Sequence, residues 1–167
     1  YFNFKKVKIL NGGFNLWIKK NFPVDKIIKE SKKGNYDFKD LKKSNHMIIT
    51  LKDLKEKILT NQNITIFDAR SQKRFNGLEP EPRKDLKSGN IPGSINIPYK
   101  EISSNNGKIL GANKLKSIFN RKKSLKKNDE IICTCGSGIT ACNIILALDI
   151  LGYKKLKLYD GSWAEWG

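Results

Sequence analysis

Glu130-Ile-Ile-Cys-Thr-Cys-Gly-Ser-Gly-Ile-Thr-Ala-Cys-Asn-Ile-Ile-Leu-Ala-Leu148 decides how this chain is read. The run 130–134 is short, apolar and β-branched, the signature of a strand buried on both faces. A glycine-punctuated turn follows at 135–139. The segment 140–151 then has the length and composition of a buried helix, stopped at Gly152. Strand, tight turn and helix in that order form half of a parallel βαβ unit. Outward from it the same alternation recurs. Strands are expected over 64–67, 94–97 and 156–159, and helices over 51–59, capped by Thr50, and 113–122. The apolar run His46-Met-Ile-Ile-Thr50 adds a further extended piece. The expected fold is α/β, a mostly parallel five-stranded sheet with helices on both faces.

A repeat brackets this unit. Val7-Lys-Ile-Leu-Asn-Gly-Gly-Phe-Asn-Leu-Trp17 aligns without gaps on Leu156-Lys-Leu-Tyr-Asp-Gly-Ser-Trp-Ala-Glu-Trp166. Each copy reads as a short alternating strand, a polar-glycine turn and an aromatic helix start. The offset of 149 residues is one domain length, not a solenoid period, and implies a duplicated α/β domain. Between the copies, 20–45 is polar and reads as a surface linker.

Composition narrows the function. The 167 residues suffice for one domain with a real core, and no window approaches 18 apolar residues, which excludes a membrane-spanning helix. Three cysteines cannot build a disulfide framework, so a reducing compartment is expected. The net charge of +17 comes from 29 Lys and only four Arg. The lysines are dispersed in pairs, and no arginine-rich or aromatic-interleaved motif marks an RNA surface. The charge is read as a solvated surface that steers anions, with nucleic acid not the expected partner. The chain begins at Tyr1 rather than Met, so a fragment is expected, and any targeting signal would be lost with the missing start.

The chemistry is expected at Cys135, where a parallel strand ends and a helix begins. Gly136 and Gly138 let the backbone fold into a cup of amides, and the helix from Thr140 adds its positive end. Both favour a thiolate, the nucleophilic form, and would stabilise a persulfide. A phosphatase Cys-x5-Arg loop would need Arg at 141, where Ala141 stands. A redox Cys-x-x-Cys would need Cys at 138, which is Gly. Metal binding by Cys133 and Cys135 lacks two further ligands, and the single His46 has no motif around it. Cys133 is expected to pack in the sheet and Cys142 on the buried face of the helix.

Cys135-Gly-Ser-Gly-Ile-Thr-Ala141 resembles the active-site loop of the rhodanese superfamily, and within it the 3-mercaptopyruvate sulfurtransferase branch, which usually reads Cys-Gly-Ser/Thr-Gly-Val-Thr-Ala. Thiosulfate sulfurtransferases of the same fold typically carry Arg-Lys after the cysteine, where this loop has uncharged Gly136-Ser137. Asp68-Ala-Arg-Ser-Gln-Lys-Arg-Phe-Asn-Gly-Leu-Glu-Pro-Glu-Pro-Arg83 is similar to the family's substrate-binding stretch. Gly89-Asn-Ile-Pro-Gly-Ser-Ile-Asn-Ile-Pro98 and Tyr159-Asp-Gly-Ser-Trp-Ala-Glu-Trp166 are similar to its two general signatures, although Asn90 stands where His is usual. The resemblance covers 48–167, and 7–17 matches the end of the family's first domain. It implies three regions: a C-terminal remnant of a first rhodanese-like domain (1–30), a linker (31–45) and a second, catalytic rhodanese domain (46–167).

The resemblance also implies roles. Cys135 would be the nucleophile and Ser137 a proton relay, working with a His and an Asp of the missing first domain. Gly136, Gly138, Ile139, Thr140 and Ala141 would form the loop backbone, and Arg74 and Arg83 would bind substrate. There is an independent reason to notice the arginines. Arg70, Arg74 and Arg83 crowd one window of a lysine-dominated chain, and a planar guanidinium is wanted where a carboxylate is held bidentately. Arg70, close after Asp68, is expected to brace the loop through an ion pair. The implied reaction carries sulfur from 3-mercaptopyruvate through a Cys135 persulfide to a thiol such as thioredoxin, or to cyanide, with no metal or organic cofactor, in the cytoplasm or mitochondrion. Two alternatives stay open: a thiosulfate:cyanide sulfurtransferase, and a non-catalytic basic binding module.

Overall fold

The computed structural model describes residues 1–2, 4, 6–28, 30, 34 and 43–167. Its strands are β1 (Ile64–Asp68), β2 (Ser94–Asn96), β3 (Glu130–Thr134) and β4 (Leu156–Leu158). Its helices are α1 (Gly13–Lys19), α2 (Leu51–Leu59), α3 (Gln72–Phe75), α4 (Ala112–Lys122), α5 (Ala141–Ile150) and α6 (Ser162–Trp166). The sheet order is β2-β1-β3-β4, with every pairing parallel. The fifth strand expected near Ile48 is reduced to a single parallel bridge from Ile48 to Leu158, extended by the Ile49 amide donating to the Leu158 carbonyl at 3.0 Å. The reason is local. Asn45–Met47 winds into a 3-10 turn, and Thr50 already caps α2 by accepting from the Asp53 amide at 3.2 Å, so only two residues between them stay extended.

Alternation along the strands divides the core into two layers. Phe67, Ile131 and Cys133 face α4 and α5, where they meet Leu115, Phe119, Ile144 and Leu148. Ile66 and Ile132 face the other way, onto Leu54 of α2, Ile91, Tyr159 and Trp163. Each fully buried side chain of this size contributes about 1.5–3 kcal/mol. β1 and β3 occupy the two central positions and are apolar on both faces, as their sequences require.

The two copies of the repeat fold differently. Both start a helix at the equivalent residue, and both first residues are left-handed, Gly13 at φ 61° and Ser162 at φ 52°. However, 156–158 lies in the sheet, whereas 7–10 forms no strand. The linker expected over 31–45 lies outside the described residues except at 34 and 43–45.

Candidate active site

The register places the candidate nucleophile. Asp68 pairs with Thr134, so β1 and β3 end together, and the Ala69 amide donates to the Thr134 carbonyl at 2.9 Å. Cys135 is the next residue, 2% exposed, at the floor of a cleft outside the carboxyl ends of the strands. A single hydroxyl shapes the loop that follows. Ser162 Oγ accepts from the amides of Cys135 (3.1 Å) and Gly138 (3.0 Å) and donates to the Tyr159 carbonyl (2.8 Å). The first amides of α6 close the other edge: Trp163 and Ala164 donate to the carbonyls of Cys135 and Gly136 at 3.0 and 2.9 Å. Gly138 adopts φ 82°, and a Cβ there would stand 2.6 Å from Asp160 Oδ1 and 2.9 Å from the Asp160 carbonyl oxygen. Glycine is therefore required on two counts. Two of the cup's amides thus serve the Ser162 hydroxyl. Those of Gly136, Ser137, Ile139 and Thr140 have no partner among the described residues.

The arginine window forms the opposite wall. Arg70 is 2% exposed and bound on every side. It holds Asp68 through Nε and Nη2 (3.0 and 2.7 Å to Oδ2) and Glu81 Oε1 through Nη1 (2.9 Å). Nη2 also donates to the Gly89 carbonyl (2.8 Å), and the guanidinium lies 4.3 Å from the Trp163 ring centroid. This is the expected bracing ion pair, extended into a network. Arg74, on the helical turn α3 capped by Ser71, is half-buried; its Nε donates to Glu81 Oε1 at 3.3 Å and its Nη2 to Oε2. The hydrogen bond to Glu81 holds the Arg74 guanidinium above its ordinary pKa, opposed by burial and aided by the nearby charges of Glu81, Asp68 and Cys135. Its Nη2 stands 3.0 Å from where a Cβ on residue 136 would be, which makes Gly136 the gap that lets Arg74 reach the cysteine loop.

Together these walls enclose a cavity of about 300 Å³, lined by Arg74, Glu81, Arg83, Cys135, Gly136 and Ser137, with Ile139 and Thr140 at the rim. The structure thus gathers seven of the nine residues named from sequence. Gly138 and Ala141 stand behind the cavity, the first as the buried turn and the second as the fully buried start of α5. Arg83 and Ser137 are exposed. Sequence reasoning missed Glu81 and Ser162. Glu81 had a legible signal, a carboxylate between two prolines inside the arginine window; nothing local revealed what the Ser162 hydroxyl holds.

The other cysteines separate clearly. Burial pushes the Cys133 thiol far above the ordinary range, as its place in the sheet predicts. Cys142 departs from expectation. Ala141, Ile144, Ala147 and Leu148 make the buried face of α5, which turns Cys142 to the exposed side, its thiol 3.5 Å from the Gly138 carbonyl. Partial desolvation first, then the charges of Cys135 and Asp160, push this thiol up as well. His46 lies in the 3-10 turn, and among the described residues no group of His, Cys, Asp or Glu could hold a metal ion. Among them, too, no helix is long and apolar enough to cross a membrane.

A cysteine delivered by a central parallel strand into a glycine loop, facing an arginine-lined cavity, is an α/β arrangement that can support nucleophilic thiol chemistry. The rhodanese-like domain model matches residues 50–167, and the chain belongs to the rhodanese family. It is 34% identical to the 3-mercaptopyruvate sulfurtransferase of Mus musculus over 165 residues, 99% of this chain and 54% of the relative. It is 35% identical to the thiosulfate sulfurtransferase of Rattus norvegicus over 167 residues, again 99% of this chain and 54% of the relative. Among solved structures, SseA from Escherichia coli, described as a 3-mercaptopyruvate sulfotransferase, superposes with a TM-score of 0.79 at 30% identity, covering 97% of this chain and 58% of its own. The chain spans about half the length of the curated relatives it matches.

Proposed function

We propose that the chain is the catalytic half of a sulfurtransferase that takes sulfur from 3-mercaptopyruvate and passes it to a thiol acceptor. The observation that carries this reading is the pairing, in one cavity, of a cysteine followed by uncharged Gly136-Ser137 with two arginines on the facing wall. Arg74 and Arg83 hold the donor's carboxylate and keto oxygen. The Cys135 thiolate attacks the donor sulfur, and the carbon–sulfur bond breaks. The sulfur stays on Cys135 as a persulfide, and the electron pair leaves on carbon as the enolate of pyruvate. A proton relayed past the Ser137 hydroxyl completes pyruvate. An acceptor thiolate, thioredoxin being the expected kind, or cyanide in an assay, then attacks the outer sulfur and restores Cys135. Relatives about twice as long, together with the repeat at 7–17, support residues 1–30 as the tail of a preceding rhodanese-like domain that supplies a His and an Asp to the relay.

A thiosulfate:cyanide sulfurtransferase is the second reading, favoured by relatives named thiosulfate sulfurtransferase at similar identity. The two donors compared side by side decide between them by pyruvate and sulfite release. Cys135→Ser is expected to abolish both the gain of one sulfur mass and turnover, by roughly a thousandfold or more, while Cys142→Ser retains both. Sulfur loading that survives Cys135→Ser overturns the proposal. A chain that takes up no sulfur but binds RNA in a salt-dependent gel shift is instead a basic binding module.

A further inference from the structure

The cavity's charge is not the sum of its arginines. Arg74 and Arg83 both line it, but Glu81 lines it too, and the Glu81 side chain is 1% exposed. Its two oxygens are fully engaged, Oε1 by Arg70 Nη1 and Arg74 Nε, Oε2 by Arg74 Nη2. Asp68 balances Arg70 in the same network. The four buried or half-buried charges therefore cancel, and Arg74 keeps only Nη1 and the outer hydrogen of Nη2 for a ligand. Arg83 is exposed and, among the described residues, makes no ion pair. The wall thus presents one oriented but neutralised hydrogen-bond donor and one uncompensated cation.

We infer that Glu81 is a positioning residue that sets donor specificity: it holds Arg74 edge-on and cancels its charge, so that Arg83 is the one uncompensated cation facing the donor and the cavity selects monoanionic sulfur donors over dianionic ones. The inference rests on the sulfurtransferase reading and deepens it. A donor with a single carboxylate meets Arg83 as its charge partner and Arg74 as a directional donor. A dianion such as thiosulfate leaves one charge unmatched by a free cation. Lysine at 74 would break the arrangement, because a point-like ammonium lacks the planar Nε–Nη2 edge that meets both oxygens of Glu81 in parallel and fixes the direction of the remaining N–H groups.

The test compares alkylation of Cys135 in the intact chain by iodoacetate, an anion, with that by iodoacetamide, its neutral isostere. The ratio of the two rates cancels the thiol's own reactivity and reports cavity charge. The exposed Cys142, followed by mass spectrometry in the same sample, reports the background from the chain's net charge of +17. Glu81→Gln, which keeps shape and an acceptor oxygen, is expected to raise the Cys135 ratio roughly five- to tenfold without moving the Cys142 ratio. Glu81→Asp is expected to restore the wild-type value. Arg83→Gln, at an exposed position where folding is not at stake, is expected to lower the Cys135 ratio to that of Cys142. In turnover, Glu81→Gln is expected to shift relative kcat/KM toward thiosulfate by a similar factor. An unchanged ratio in Glu81→Gln, or an iodoacetate preference at Cys135 that survives Arg83→Gln, overturns the inference while leaving the nucleophile in place. A Cys135 that reacts with neither reagent overturns the sulfurtransferase reading, and the inference falls with it.

Discussion

Segments 7–17 and 156–166 share a pattern and not a fate. Leu156 is 8% exposed and Val7 is 68%; Trp163 is 4% and Phe14, its counterpart, 66%. Both segments start a helix on a residue with positive φ, Gly13 and Ser162, although the residue before it differs, Gly12 at φ 102° and Gly161 at φ −56°. Only one makes a strand. β4 finds the free edge of β3, with Ile131 opposite Leu156 and Cys133 opposite Leu158, whereas 7–10 has no strand edge beside it among the described residues. An alternating apolar run is a strand only when a ladder partner and a covering layer exist.

The same contrast separates structure from chemistry. In the C-terminal copy the turn has been recruited to the site: Ser162 holds the cysteine loop, and Trp163 backs Arg70 and donates through Nε1 to the Lys87 carbonyl at 2.9 Å. In the N-terminal copy Gly13 has no side chain to offer and Phe14 stands in solvent.

The comparison breaks most sharply at the aromatic position. Trp163→Ala is expected to cost about 3–5 kcal/mol in urea unfolding, from the lost burial, the lost stacking on Arg70 and the cavity left behind. Phe14→Ala is expected to stay within about 0.5 kcal/mol of wild type. Equal costs would mean that the two copies are packed alike. The next position is smaller in effect and closer to function. Ser162→Ala leaves two buried amides without an acceptor and is expected to cost about 2 kcal/mol, with faster hydrogen exchange at Cys135 and Gly138. Unchanged exchange at those two amides would remove Ser162 from its structural role. Gly13→Ala is expected to have a smaller effect than Ser162→Ala. A Cβ there meets nothing within 4 Å, so only the positive φ is penalised. The expected change is about 1 kcal/mol, confined to α1 and read as lower local protection with the global unfolding midpoint unmoved.

Much of this was legible beforehand. β3 was read residue for residue, α2 likewise, and the ends of β1, β2, β4, α4 and α5 shifted by one residue or so, because apolar periodicity and caps are written locally. Cys135, Arg74 and Arg83 were named from sequence and share a cavity. The Cys142 orientation was misread because α5 is apolar on nearly every face, so its periodicity does not say which side turns inward. The fifth strand shrank to a bridge because the cap of α2 and the 3-10 turn compete for the same few residues.

What the amino-acid order determined alone is the alternation of strands and helices, the glycines that the turns demand, and the placing of a nucleophile at a strand end. Those depend on neighbours within a few positions. The tertiary structure decided that Ser162 would clamp an amide 27 residues away, that Glu81 would take up the charge of Arg74, and that one copy of the repeat would be buried and the other exposed. These are properties of pairing across the sheet ends, where which groups meet is settled only when the whole core closes.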